Sequence, residues 1–116
     1  MLSKIYDDYC IFLGKSQSEN ETLLNMTRDG QGPCKDYIGT MYWFHLAGRS
    51  SSHVILQSKN KPTHKMIKEA AVFLKENSKY RSERKLEILY INRKHVRQTR
   101  IAGAVVMQNR GSRVVI

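Results

Sequence analysis

The clearest pattern in the chain is helical. From Thr63 to Lys79, Met66, Ile67, Ala70, Ala71, Phe73 and Leu74 fall on one broad face at about 100° per residue. Lys65, Lys68, Lys75 and Lys79 fall within about 80° of one another beside that face, with Val72 the one apolar residue among them. This predicts an amphipathic helix that packs on a sheet and carries a lysine ridge outward. Asn60–Thr63 is the breaker before it, and Pro62 is placed to start it.

The rest of the chain reads mostly as strands. KIYDDYCIFLGK predicts a hairpin turning at Asp7-Asp8, with Tyr9 to Leu13 as its second strand. SENETLLNMT predicts a short helix in which Ser18 caps and Glu21, three residues on, closes a capping box. RDGQGPCKDYIG is rich in Gly, Asp and Pro and reads as a loop. TMYWFHLA alternates as a strand does, with Trp43 and Phe44 as core residues, and HVILQS continues it after a Gly-Arg-Ser turn. KLEILYI, GAVVMQ and SRVVI supply further strands, with NRGS expected as the hairpin turn between the last two. The expected fold class is α+β: a mostly antiparallel sheet with one main amphipathic helix and a short N-terminal helix.

At 116 residues with 41% apolar composition, a single domain over residues 1–116 is expected. No run reaches the roughly 18 apolar residues of a membrane span, and the first residues lack the apolar block of a signal peptide. Cys10 and Cys34 are too few for a disulfide framework and match no zinc spacing. Cys10 reads as a core residue and Cys34 as a loop residue, so an intracellular, reducing setting fits. Charge changes the picture more. Residues 1–58 hold five basic and six acidic residues, a net −1; residues 59–116 hold fifteen basic and four acidic, a net +11. A one-sided excess repels itself in a compact fold and suits a polyanionic partner.

Residues 43–56, WFHLAGRSSSHVIL, place two histidines, an arginine and three serines around one turn. An active site, a metal site and an anion-holding surface compete as explanations. LGKS at 13–16 has Tyr9 where a phosphate loop needs Gly. The serines lack a G-x-S-x-G elbow, and neighbouring strand residues point to opposite faces. His45, His53, His64 and His95 show no ligand spacing. A binding surface remains, in which Arg49 offers a phosphate fork and the hydroxyls and turn amides offer donors. His45 stays open between a half-buried strand residue and a functional one. The His53 imidazole is expected to bond across the hairpin and fix the Ser50–Ser52 turn.

Four blocks then carry a family resemblance. FLGKSQSENETL, YWFHLAGRSSSHVIL, IKEAAVFLKENSK and LEILYINRKHVRQTRIAGAVVMQNRGSRVVI resemble, in order, the motifs of the RNA-binding module NFACT-R, over about residues 10 to 116. That module is shared by ribosome-associated quality-control factors and small single-domain proteins. Met41 stands where members often carry an acidic residue, and Ser51 stands for a family glycine, as is similar to the eukaryotic single-domain branch. That branch carries a coiled-coil tail that this sequence lacks, so a coiled-coil protein is a candidate partner.

The resemblance implies a non-catalytic, cytoplasmic module without cofactor or metal. Its implied partner is tRNA or ribosomal RNA, with the large ribosomal subunit as the setting and no membrane. Nonspecific DNA binding, or a basic subunit docking an acidic protein, are the alternatives. The expected RNA-binding residues are Lys15, Arg49, Ser50, Ser52 and His53 at one end. A phosphate-tracking ridge of Lys65, Lys68, Lys75 and Lys79 is expected to continue into Arg93, Lys94 and Arg97.

Overall fold

The computed structural model describes residues 1–34 and 39–116, so the centre of the loop expected at 28–39 lies outside the described residues. β1 (Leu2–Ile5) and β2 (Tyr9–Gly14) form the expected hairpin, with Ile5 opposite Cys10 and Leu2 opposite Leu13. β2 pairs with β4 (His53–Ser58), β4 with β3 (Thr40–Leu46), β3 with β5 (Glu87–Asn92), and β5 with β8 (Ser112–Val115). All these pairings are antiparallel, giving a six-stranded sheet in the order β1-β2-β4-β3-β5-β8. The architecture is α+β, as the patterns predict.

The apolar stripe of α2 (His64–Glu76) covers one sheet face. Ile67, Ala70, Ala71, Phe73 and Leu74 pack on Ile11, Leu13, Phe44, Leu46, Val54, Leu56 and Ile88. Thr63 caps the helix, its side chain accepting from the Met66 N–H at 3.2 Å. Tyr9 Oη donates to Glu69 at 2.8 Å and ties the helix to β2. α2 ends at Glu76, three residues short of the expected Lys79. Asn77 Nδ2 donates to the Phe73 carbonyl at 2.8 Å and Ser78 Oγ to the Lys75 carbonyl at 2.8 Å, so side chains take over the last acceptors. No helix among the described residues is long and apolar enough to cross a membrane.

The opposite face is covered by α1 (Gln17–Thr27), whose Leu23 and Leu24 join Met41, Trp43, Ile55, Ile91 and Val96 in a second core. Trp43 is 2% exposed and Phe44 fully buried on opposite faces of β3, so both are core residues. The cap of α1 is Ser16 rather than the expected Ser18. Ser16 Oγ accepts from the Glu19 N–H at 3.2 Å, while Glu19 Oε1 accepts from the Lys15 N–H at 2.9 Å. The S-x-x-E spacing occurs twice in overlap, Ser16 to Glu19 and Ser18 to Glu21, and the end of β2 at Gly14 selects the earlier one.

Two further expectations are corrected. β7 (Val105–Met107) pairs with β6 (Val96–Gln98) in a separate two-stranded ribbon, not with β8. Residues 109–112 therefore form a corner and not a hairpin: Asn109 Oδ1 accepts from the Gly111 N–H at 2.7 Å as the chain passes from ribbon to sheet edge. Cys10 and Cys34, expected as a core thiol and a loop thiol, are joined in a disulfide across a separation of 24 residues. The cysteine count carried no sign of this pairing, because α1 between them folds back over the sheet.

Removing the ring at the centre of the second core is the direct check on this packing. Trp43→Ala is expected to lower unfolding free energy by about 3 kcal/mol or more in urea titration. Arg49→Ala, at an exposed ion pair with Glu83, is expected to stay within about 1 kcal/mol. A Trp43→Ala protein as stable as the parent would contradict the core assignment.

Candidate nucleic-acid interface

A close approach between β2 and α1 starts the site. A Cβ at Gly14 would lie 2.4 Å from Asn20 Oδ1, so glycine is what lets the first turn of α1 settle on the sheet. That Oδ1 accepts from the His53 N–H at 3.0 Å, bonding α1 to the first residue of β4. One turn of helix also gathers the β6–β7 loop. Glu21 Oε2 accepts from the Gly103 N–H at 2.6 Å and its Oε1 from Gln98 Nε2 at 2.7 Å, while Gln17 Nε2 donates to the Ala102 carbonyl at 2.6 Å. The Gly103 N–H, and then Gln98, hold the Glu21 carboxyl below the usual carboxylate range. Gly103 adopts φ 77° and sits so near α1 that a Cβ would lie 3.1 Å from the Gln17 carbonyl oxygen.

The α1 N-terminus, the 50–52 turn and the β6–β7 loop thus enclose an open recess of about 450 Å³. Its lining includes Lys15, Ser16, Gln17, Asn20, His45, Ser50–Ser52, His53 and Ile101–Ala104. Of the residues expected from the sequence, Lys15, Ser50, Ser52 and His53 meet here. The role expected for the His53 ring is corrected: it makes no hydrogen bond among the described residues, and its Nδ1 is buried without a partner. The backbone N–H, not the imidazole, is the fixed point. The turn is held instead by Ser51, whose Oγ accepts from the Leu46 N–H at 3.1 Å and donates to the Ser52 carbonyl at 2.9 Å.

Three aromatic rings back the recess. Trp43 stacks on His45 at 5.4 Å and 12°, and His53 meets both edge-on at 5.2 and 5.5 Å. Burial, and then the neighbouring His45, push His53 down to about 4. Burial also lowers His45, against the opposing effect of its Nδ1 contact with the Leu46 carbonyl at 2.7 Å. Both imidazoles are therefore neutral at pH 7.

The remaining expected residues separate. Arg49 turns away from the recess: its guanidinium lies 4.4 Å over the Tyr80 ring and pairs with Glu83. Lys65, Lys68 and Lys75 ride on α2 and Lys79 follows its end, so all four belong to the opposite sheet face; Lys75 Nζ donates to the Ile116 carbonyl at 2.8 Å. Lys94 is exposed beside Arg28 in a smaller recess on the α1 face. Arg97 on β6 lies against the Gln108 amide oxygen at 2.6 Å. The continuous ridge expected from Lys65 through Arg97 is therefore two separate basic surfaces.

Arg93 is a correction of a different kind. It is 5% exposed, and its guanidinium donates to Thr27 Oγ1 at 2.8 Å, the Val96 carbonyl at 2.7 Å and the Leu24 carbonyl at 2.8 Å. A cation at the C-terminal turn of α1 meets the free carbonyls and the negative end of the helix dipole. It binds α1 to the strand that follows β5, with three of its five N–H donors spent inside the fold. Arg93 also had no carboxylate partner in sequence to mark it as internal. Asn20 and Gln98 went unremarked for the same reason, and Glu21 was read only as a capping-box partner, since their partners lie 33, 77 and 82 residues away. Among the described residues, no group of three or more His, Cys, Asp or Glu side chains could hold a metal ion.

Comparison with known proteins adds two findings. The family model described as the NFACT protein RNA-binding domain matches residues 3–112. A solved structure, the C-terminal part of the fibronectin/fibrinogen-binding protein from Streptococcus suis, matches with a TM-score of 0.74 at 20% sequence identity. The match covers 93% of this chain but only 40% of that one, and at this identity it shows the shared fold. No curated protein matches the chain.

The depressed His53 pKa gives the interface a pH signature. Below about 6.5 the unfolded chain takes up a proton that the folded chain refuses until about 4, so stability is lost as pH falls between these values. The lowered carboxyls of Glu19 and Glu21 lose their contribution as pH falls through and below the ordinary carboxylate range, at the bottom of this window, while the lowered His45 acts in the same direction within it. Urea unfolding between pH 7 and 5 should show stability falling with pH, and His53→Asn should flatten the slope. An unchanged slope in the variant would contradict a buried neutral His53. Independently, Arg93→Ala is expected to cost about 3 kcal/mol in the same assay, because it strands the α1 carbonyls.

Proposed function

The chain belongs to the NFACT protein RNA-binding domain family, and from that premise we propose that it is a non-catalytic RNA-binding module that contacts tRNA or ribosomal RNA. Its setting on this reading is the cytoplasm, in translation or ribosome-associated quality control at the large ribosomal subunit, with a coiled-coil protein as a further candidate partner. In that setting the Cys10–Cys34 bond would be open to reduction by cytosolic thiol pools.

One observation supports the reading above others: exposed cations without compensating carboxylates. Among the described residues the ion pairs engage Arg28, Arg49, Arg113 and the N-terminal amine. The charged groups of Lys15, Lys94, Arg97 and Arg100, exposed residues on or beside the α1 and β6–β7 cover, have no carboxylate within 4.0 Å among the described residues. Phosphates hold structured RNA in register through such groups, and hydroxyls such as those of Ser50 and Ser52 suit sugar and phosphate contacts. We place the RNA on this face. The α2 lysines, on the other side of the sheet, add to the attracting field without contact. Serine catalysis finds no support in the recess, because the Ser51 hydroxyl is already engaged in both directions.

Binding to a tRNA should weaken steeply with salt. Engaging about five phosphates implies a log-log slope of about −4.5, at roughly 0.9 per phosphate. Lys94→Ala with Arg97→Ala should shift that slope toward about −2.7, whereas Lys65→Ala with Lys68→Ala should leave it nearly unchanged. A slope near zero in the parent protein would contradict the electrostatic reading. In cells, crosslinking followed by sequencing of the bound RNA checks the partner, and RNase treatment of a native pulldown should abolish ribosome or tRNA association. Association that survives RNase would favour docking to an acidic protein.

A further inference from the structure

We infer that the recess at the N-terminus of α1 holds one unpaired nucleotide of the bound RNA, its base against His45 and its phosphate at Lys15, Ser50 and the first amides of α1. The inference rests on the RNA-binding reading and specifies it.

Size and shape come first. A recess of about 450 Å³ lies in the range of about 300–1,000 Å³ that accommodates small-molecule ligands. It is bounded by a helix start, a strand turn and the β6–β7 loop. The bases of a duplex are paired and stacked, and the narrow major groove of A-form RNA hides their edges. A nucleotide that enters must come from a single-stranded end, loop or bulge.

The chemistry of the walls separates a base end from a phosphate end. At the inner wall the groups are neutral. His45 has its Nδ1 engaged with the Leu46 carbonyl, which makes Nε2 the free acceptor of the neutral ring. Trp43 holds that ring in place from behind, 5.4 Å away and nearly parallel. Asn20 spends its Oδ1 on the His53 N–H, and its Nδ2 has no partner among the described residues. His53, 3% exposed, carries a ring without any hydrogen bond among the described residues. Neutral imidazoles and a carboxamide do not attract phosphate; they suit the face and edge of a base. This unpartnered, almost fully buried ring in the wall is the observation that distinguishes the recess from a bare helix terminus.

The outer wall has the opposite character. Lys15 is exposed, and Ser50 is exposed on the facing turn. Ser16 Oγ takes only the Glu19 N–H of the first turn, so the amides of Gln17 and Ser18 stay available beside Lys15. Helix-terminal amides with a lysine and a hydroxyl form an anion-holding set. A nucleotide spans both ends: phosphate outside, base inside.

Trp43 is the only tryptophan of the chain and stacks on His45, so its emission reports occupancy. The probes are a blunt twelve-base-pair RNA duplex and the same duplex with a three-nucleotide 3′ overhang, compared at one salt concentration. The overhang is expected to tighten binding about tenfold, within the range of one base stacked on an aromatic ring, and to quench Trp43. His45→Ala should remove that gain. His45→Asn, which keeps a polar side chain at this position, should also remove it while keeping the parent's thermal midpoint. Equal binding of the two RNAs, or a gain that survives both substitutions, would overturn the inference and leave RNA binding intact. Failure to bind either RNA would overturn the functional reading along with it. Quenching by adenosine 5′-monophosphate with no gain from the overhang would assign the recess to a free nucleotide and overturn its assignment to RNA.

Discussion

Strand β4 has no exposed residue: His53 through Ser58 are buried on both faces. That two-sided burial organises the rest of the structure, because a sheet buried at its centre needs cover on each side. One cover is simple. α2 supplies an apolar stripe over Val54 and Leu56 and a tyrosine–carboxylate tie to β2. The other is composite. α1 is short and contributes two leucines over Ile55 and Trp43, too little to fix its position alone. Polar clamps do the fixing: Asn20 to the β4 backbone, Glu21 to the β6–β7 loop, and Arg93 to the C-terminal carbonyls of the helix. Each of these side chains bonds a main-chain group of a neighbouring element.

The recess follows from how that second cover ends. α1 stops at Ser16, and beyond it no helix lies over His45 and His53. The sheet therefore presents the His45 and His53 rings here, bordered by the donors of a helix start. The same construction explains why the basic residues divide. α2 and the α1 side are separated by the sheet, so cations that follow one another in sequence from Lys65 to Arg97 end on opposite sides of it. A flat basic ridge would only track phosphate. A face combining cations with a neutral, ring-lined recess offers both electrostatic capture and local selection of an unpaired base.

Much of the fold was legible in the chain because single-face burial leaves a period. The stripe of α2, the β1–β2 hairpin and the alternation of Trp43 and Phe44 all record which side faces a core. Where two local signals overlap, as in the two S-x-x-E frames around Ser16 and Ser18, the pattern alone does not choose, and the end of β2 decides. β7 was expected within GAVVMQ, but β6 and its pairing with β7 were illegible because both strands are three residues long and partly exposed. Internal polar residues were the larger difficulty. Arg93 looks like its neighbours Lys94 and Arg97, and only the distant carbonyls of α1 draw it inside. Arg49 looks like a free fork until Tyr80 and Glu83 arrive from more than thirty residues away. Of the site, Lys15, Ser50, Ser52 and His53 were identifiable from the residues around two turns. Asn20 and Glu21, which position them, were not.

The central claim is that RNA meets the face formed by α1 and the β6–β7 loop, with the recess at its centre. Amide chemical-shift mapping of the protein with an RNA carrying a single-stranded 3′ end tests it most directly. The account predicts the largest shifts at Lys15, Gln17, His45, Ser50–His53 and Ala102–Gly103, with the outer side of α2 little changed. Shifts concentrated on Lys65, Lys68 and their α2 neighbours, with the recess silent, would contradict it.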